Sequence, residues 1–169
     1  MDQQLNYIIF NTDMGWMGIV GSAAGLVRIA LPHPSAQKIR EQLKDLTSHG
    51  IRSPRLFQDL MNRFILYFSG RVTDFPDRLD LSGGTPFQQE VWETAKLIPY
   101  GQTRSYGWIA RQMNKPKAMR AVGQALGKNP LPIIVPCHRV LASDGKLGGF
   151  SSGLDLKRRL LGLESPAKP

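Results

Sequence analysis

A single cysteine, Cys137, is the feature that most narrows how this chain can fold. One thiol cannot close an internal disulfide, and His33, His49 and His138 are too scattered to build a zinc cluster with it. The fold must therefore come from buried apolar side chains, and 169 residues with 41% hydrophobic content suffice for one domain or two small ones. The thiol stands in Pro136-Cys137-His138-Arg139, directly after the apolar run Ile133-Ile134-Val135. Pro136 lacks a backbone N–H and pushes Val135 toward extended geometry, so the run is expected to be a short strand that ends at the cysteine. A lone cysteine is ordinarily a small packed hydrophobe. A free thiol is only a few per cent thiolate at neutral pH, however, and His138 and Arg139 supply the base and the positive charge that raise that fraction.

Charge separates the two halves of the chain. Residues 1–84 hold nine Lys/Arg against eight Asp/Glu, whereas residues 85–169 hold thirteen against five. Between Lys96 and Lys146 the only acid is Asp144, among Arg104, Arg111, Lys115, Lys117, Arg120, Lys128 and Arg139. A field of one sign attracts polyanions, with nucleic acid foremost, although a basic face can also be merely solvated. No stretch approaches the ~18 apolar residues of a membrane span, and the N-terminus lacks a signal-peptide pattern. No membrane association is expected, and the expected location is cytoplasmic: at the nucleoid, or nuclear if the source is eukaryotic.

In chain order, the apolar run Leu5 to Phe10, the turn residues Asn11 to Gly15 and the run Trp16 to Val20 read as a hairpin, with Gly25 to Leu31 as a third strand. Ser35 is placed to cap a helix whose Ala36, Ile39, Leu43 and Leu46 recur at helical spacing. A second helix is expected from Ser53-Pro54, with Phe57, Leu60, Phe64 and Phe68 as its core stripe and Gly70 as its stop. From Val72 to Gly84 the periodicity is lost, and a linker with a domain boundary near residue 82 is expected.

The second half begins with Thr85-Pro86-Phe87-Gln88, which has the form of a capping box with proline at the first helical position. Phe87, Val91, Ala95 and Ile98 make one face of that helix, and Pro99-Tyr100-Gly101 ends it. Ser105 can then cap a short helix to Met113, with Tyr106, Ile109, Ala110 and Met113 facing inward. After a turn at Asn114-Lys115-Pro116 a second helix is expected to reach Leu126, with Gly127 as its stop. This resembles a helix-turn-helix. Its second helix carries the small residues Ala118, Ala121, Gly123 and Ala125 beside Lys117, Arg120 and Lys128, a pattern that suits close approach to DNA but also to another helix. The loop Gly148-Gly149-Phe150-Ser151-Ser152-Gly153 can wrap a planar ligand or simply connect two elements. Ser152 is placed to cap a last helix, Leu154 to Leu161, which Gly162 ends just before Glu164. The tail from Ser165 to Pro169 reads as disordered.

These residues resemble the O6-alkylguanine-DNA alkyltransferases. The likeness runs from Thr85 to Glu164 through Phe87-Gln88-Gln89-Glu90-Val91-Trp92, Ile98-Pro99-Tyr100-Gly101, Ser105-Tyr106, Arg120-Ala121-Val122-Gly123, Asn129-Pro130, Pro136-Cys137-His138-Arg139-Val140 and Gly148-Gly149-Phe150. It implies an α/β N-terminal domain (residues 1–82), RNase H-like with an antiparallel sheet and helices. It implies a mainly α C-terminal domain (83–169) of helix-turn-helix, winged-helix-like form. The implied reaction is direct DNA repair, in which the alkyl group of O6-alkylguanine passes irreversibly to Cys137 in a single turnover. Activity on O4-alkylthymine is left open. By the family pattern His138 deprotonates Cys137 through a water, Glu164 orients His138, and Tyr106 protonates the departing base. Because a stacked O6 substituent is out of reach, the base must be turned out of the duplex. The resemblance assigns DNA contact to Arg120, Ala121, Gly123, Lys117, Ser105 and Lys128, with Arg120 filling the gap in the stack. It assigns Asn129, Pro132, Val140, Ser143, Phe150 and Ser151 to the hinge and substrate pocket.

The implied partner is double-stranded DNA containing O6-alkylguanine. The protein is expected to be a monomer, with cooperation between copies along DNA left open, and to need no cofactor and no metal. The zinc site of some family members cannot be built here. The extra N-terminal domain of others, with its own acceptor cysteine, is absent, so a transcriptional role is not expected. Phe150 stands where some members carry tyrosine. Two other classes compete with this reading. A DNA-binding module without catalysis leaves the His-Arg neighbours and Glu164 unexplained. A cysteine hydrolase needs a base that faces its nucleophile, whereas neighbours in an extended chain point to opposite faces.

Overall fold

The computed structural model describes residues 3–166, so the tail expected at Ser165 to Pro169 lies outside the described residues beyond Pro166. The chain divides into two compact units, Met1–Leu81 and Ser82–Pro169. The first holds a mixed sheet with helices and the second is mainly helical around a helix-turn-helix.

In the first unit the expected hairpin is β1 (Asn6–Thr12) and β2 (Gly15–Ser22), followed by β3 (Gly25–His33). Thr12 makes the first turn: its Oγ1 accepts from Met14 N and donates to Gly15 O. The sheet order is β3-β2-β1-β4, antiparallel except at β4 (Ile51–Arg52), a two-residue strand that the periodicity did not reveal and that runs parallel to β1. Helix α1 (Ala36–Thr47), capped by Ser35, places Ile39 and Leu43 against Val20 and Ala30. A Cβ at Gly18 would lie 2.4 Å from Leu43 Cδ1, so glycine there allows the helix its close approach.

Helix α2 (Gln58–Phe68) begins four residues later than the sequence suggested, because residues 54–57 form turns and no side chain caps the helix. Its stripe of Phe57, Leu60, Phe64 and Phe68 is nevertheless buried. The expected linker is not free of the first unit. Leu26 N donates to Arg78 O and Asp80 N to Leu26 O, both at 2.8 Å, and Asp77 forms a two-pronged ion pair with Arg63 of α2.

The second unit opens with α3 (Pro86–Ala95), whose capping box is formed in both directions between Thr85 and Gln88. This helix stops at Ala95, so Ile98 is buried in the following turn rather than on the helix face. The short strand β5 (Arg104–Ser105) leads into α4 (Tyr106–Gln112), capped by the Ser105 hydroxyl, which accepts from Trp108 N. Asn114 turns the chain at φ 56°, and α5 (Met119–Gly127) follows. Gly127 is the last helical residue and its φ is negative, so it is not the stop that was expected. Trp92 locks α5 onto α3 through an Nε1–H bond of 2.8 Å to Ala125 O. Strand β6 (Val140–Leu141) pairs parallel with β5, and α6 (Leu154–Glu164) closes the unit. Gly153, not Ser152, precedes that helix, and it runs through Gly162 to include Glu164.

Candidate active site

The segment before the cysteine is not a strand. Pro132 and Val135 form an isolated bridge around a tight turn in which Ile133 takes φ 76°, a conformation costly for a β-branched side chain, by about 1–3 kcal/mol. Asn129 holds this turn closed: its Oδ1 accepts from Leu131 N at 2.9 Å and its Nδ2 donates to Val135 O at 2.8 Å. Pro136, at φ −81° and ψ 62°, makes an inverse γ-turn closed by the 2.8 Å bond from Cys137 N to Val135 O. Proline does favour extended geometry before it, but local side-chain bonding overrides that preference here. Cys137, His138 and Arg139 then form one turn of 3-10 helix.

Cys137 is 8% exposed and lies in the wall of a cavity of about 770 Å³. Burial pushes its thiol above the usual range. The Asn129 side chain, the Lys157 charge and the backbone N–H groups of Cys137 and His138 oppose that shift. The apolar run thus supplies a dry wall, and the dipoles and one cation favour the anion.

His138 is fully buried, and its Nε2 lies 2.8 Å from Glu164 Oε1. Burial lowers its pKa against the pull of Glu164, so the ring is neutral at pH 7, with Nε2 donating to the carboxylate. Glu164 also accepts a fork from Arg139, Nε to Oε2 at 2.8 Å and Nη2 to Oε1 at 2.7 Å. Burial alone would raise this carboxyl. The hydrogen bonds from His138 and Arg139, together with the Arg139 charge, outweigh it and hold the group at about 2. Arg139 is fixed in turn by its Nη1 bond to Ile98 O and by stacking on Tyr100, 5.7 Å from the ring centre.

Across the cavity stands Tyr106 at the start of α4. Burial raises its pKa, the Gly149 backbone N–H nearby opposes this, and the nearby Cys137 adds to it. A Cβ on Gly148, which sits at φ 68°, would fall 2.6 Å from the Tyr106 hydroxyl, so only glycine lets the loop lie against that oxygen. Ser143, Phe150 and Ser151 line the cavity from the loop, and Arg120 and Gly123 line it from α5. Arg120, Ala121, Lys117 and Lys128 are exposed, the two lysines at opposite ends of α5, while Ser105 is engaged as a helix cap. Val140 is fully buried and does not line the cavity. Pro132 is buried in the turn before the cysteine. Among the described residues no cluster of three or more His, Cys, Asp or Glu could hold a metal ion, and no helix is long and apolar enough to cross a membrane.

Sequence reasoning passed over Lys157. Its side chain is fully buried, its Nζ donates to three backbone carbonyls, and burial lowers its pKa to about 8 while the nearby Cys137 opposes that shift. The signal was present in the spacing: Lys157, Leu160 and Glu164 share the buried face of α6.

Comparison with known proteins bears on this geometry. The family model described as the 6-O-methylguanine DNA methyltransferase DNA binding domain matches residues 86–166. A methylated-DNA–protein-cysteine methyltransferase of Mycolicibacterium paratuberculosis is 44% identical over 153 residues, which span 89% of this chain and 92% of that protein. The one of Methanosarcina acetivorans is 39% identical over 158 residues, 94% of this chain and 97% of its own. Among solved structures, the O6-methylguanine methyltransferase of Mycobacterium tuberculosis superposes with a TM-score of 0.81 at 39% identity, covering 98% of this chain and 97% of that one. Mycobacterium tuberculosis OGT in complex with DNA gives 0.80 at 40% identity, with 96% of each chain covered.

Proposed function

Because the chain belongs to the methylated-DNA–protein-cysteine methyltransferase family, we propose that it repairs O6-alkylguanine in double-stranded DNA by taking the alkyl group onto Cys137. The observation that carries this reading is the juxtaposition of Cys137 in the cavity wall with the fully buried His138–Glu164 pair one residue and one hydrogen bond behind it.

The chemistry follows from the arrangement. In the resting protein the buried thiol keeps its proton. With Nε2 engaged by Glu164, His138 receives the Cys137 proton through Nδ1, by way of a water, and the carboxylate stabilises the imidazolium that forms. The sulfur anion attacks the carbon on O6 in line, the C–S bond forms as the C–O bond breaks, and the Tyr106 hydroxyl protonates the leaving base so that guanine departs neutral. The product thioether is stable, and no group in the cavity is placed to hydrolyse it, so each molecule acts once. Cys137, His138, Glu164 and Tyr106 all come from one chain, so a monomer is competent.

Access to the base comes from α5. Its outward face combines the exposed Arg120 with Ala121 and Gly123, small enough for the helix to seat in a minor groove. Arg120 takes the place of the extruded nucleotide, and Lys117 and Lys128 pair with phosphates on either side. The base enters the cavity between Tyr106 and the loop of Ser143, Phe150 and Ser151. The reading is tested by incubating the protein with DNA carrying a labelled O6-methylguanine and mapping the label by peptide mass spectrometry. It predicts a methyl group on Cys137 and none in Cys137→Ser. A label on any other residue would overturn it.

A further inference from the structure

The wall of the cavity formed by residues 142–153 has no helix or strand. Its internal backbone bonds are two across the turn at Ala142–Lys146 and one from Gly153 N to Phe150 O. Most of its residues are exposed, and glycines stand at 145, 148, 149 and 153. Such a segment has little of its own to fix where Ser143 and Phe150 stand.

Lys157 supplies the missing constraint. From the first turns of α6 its side chain passes beneath the loop, and its Nζ donates to Val140 O at 2.8 Å, Leu147 O at 2.5 Å and Gly149 O at 3.1 Å. An ammonium has three N–H groups, and here each has one carbonyl. The three acceptors belong to the strand before the loop and to its middle, so one charged group ties the start and the centre of the wall to the same helix. The Phe150 ring lies over the same nitrogen, 5.9 Å away. Gly149 is held by its carbonyl to Lys157, and the preceding Gly148 lies against Tyr106, where a Cβ would fall 2.6 Å from the hydroxyl, so the segment that the lysine fixes is also the one that packs on the tyrosine across the cavity.

We infer that Lys157 is a positioning residue of the transfer site, holding the loop and, through the packing of Gly148 on its ring, Tyr106 in the shape that receives the base. This rests on the alkyl-transfer reading above. Burial of a full ammonium is costly, and a side chain that only filled space would be apolar. Arginine's planar fork cannot reproduce three bonds converging on one nitrogen.

The test uses the full chain as wild type, Lys157→Met, which has no donor, and Lys157→Gln, which keeps two. Three quantities are read: labelling of Cys137 by O6-benzylguanine over a range of concentrations, labelling of Cys137 by iodoacetamide, and amide hydrogen exchange. The glutamine variant carries the test if the methionine variant does not fold. Benzylguanine labelling should fall by on the order of tenfold or more in Lys157→Met and by less in Lys157→Gln, since buried charge-assisted bonds are lost in that order. The loss should appear mainly as weaker binding of the base. Iodoacetamide needs the thiolate that the Lys157 charge favours but not the shaped wall, so in Lys157→Met its labelling should fall at least about fivefold less than that by benzylguanine, and faster exchange should be confined to residues 140–153. Unchanged benzylguanine labelling, an equal loss with both reagents, or exchange raised throughout the second unit would overturn the inference. Wild-type protein that takes no methyl from O6-methylguanine DNA onto Cys137 would overturn the alkyl-transfer reading itself, and this inference with it.

Discussion

Replacing Glu164 by glutamine probes the buried charge cluster behind the cysteine. The carboxylate is 3% exposed and accepts from His138 and from both prongs of Arg139. A carboxyl held at about 2 in the fold rather than at its ordinary 4.5 contributes about 3 kcal/mol to stability at neutral pH. The figure agrees with the ~3–5 kcal/mol expected when one partner of a buried ion pair is removed. Because the folded pKa is depressed, this stabilisation is complete above pH 4.5 and is lost as the pH falls toward 2. His138, which burial keeps neutral, contributes a separate loss that begins below its ordinary 6.5. Urea unfolding of wild type and Glu164→Gln, followed by tryptophan fluorescence from pH 7 to pH 2, measures both. The variant should be about 3 kcal/mol less stable at pH 7, and the difference between the two proteins should close as the pH falls from 4.5 toward 2, where only wild type loses the carboxylate's contribution. It should also label Cys137 at least about tenfold more slowly, since the imidazolium loses its counter-charge. A difference below about 1 kcal/mol at pH 7, or the same acid dependence in both proteins, would refute the reasoning.

Two further substitutions separate the DNA-facing surface from the chemistry. Arg120→Ala should slow repair of O6-methylguanine in duplex DNA by tenfold or more while leaving reaction with free O6-benzylguanine within about twofold, because unstacking costs a few kcal/mol only in the duplex; equal losses on both substrates would show that the arginine does not serve extrusion. Gly148→Ala puts a Cβ 2.6 Å from the Tyr106 hydroxyl at a φ of 68°, so reaction with O6-benzylguanine should fall at least tenfold with a loss of about 1–3 kcal/mol in stability; wild-type labelling rates would show that the loop does not rest on that tyrosine.

Local signals were legible wherever a neighbour in sequence was also the partner in space. Thr85 and Gln88, Ser105 and Trp108, and Ser35 and Lys38 form the caps that their spacing implied. The approach of His138 to Glu164 was not local, and it was reached through the family pattern rather than through periodicity. The strand expected at Ile133 to Val135 failed because Asn129, four residues upstream, closes a turn over it, a bond that hydropathy does not register. Ser53-Pro54 and Ser152 are sound cap residues in isolation, yet the helices near them begin elsewhere, at Gln58 and Leu154, with no side-chain cap. Lys157 drew no notice because a lysine on a helix is ordinarily a surface charge. Its place on the same face as Leu160 and Glu164 was the available sign that this one points inward.

Cys137 should be consumed by the reaction it performs. Protein is mixed with a large excess of duplex DNA containing O6-methylguanine, and restored guanine is counted against time. The amount restored should rise to a plateau of one guanine per protein molecule, with every Cys137 then carrying a methyl group. Continued release of guanine beyond that ratio, or a plateau reached with Cys137 unmodified, would contradict the account.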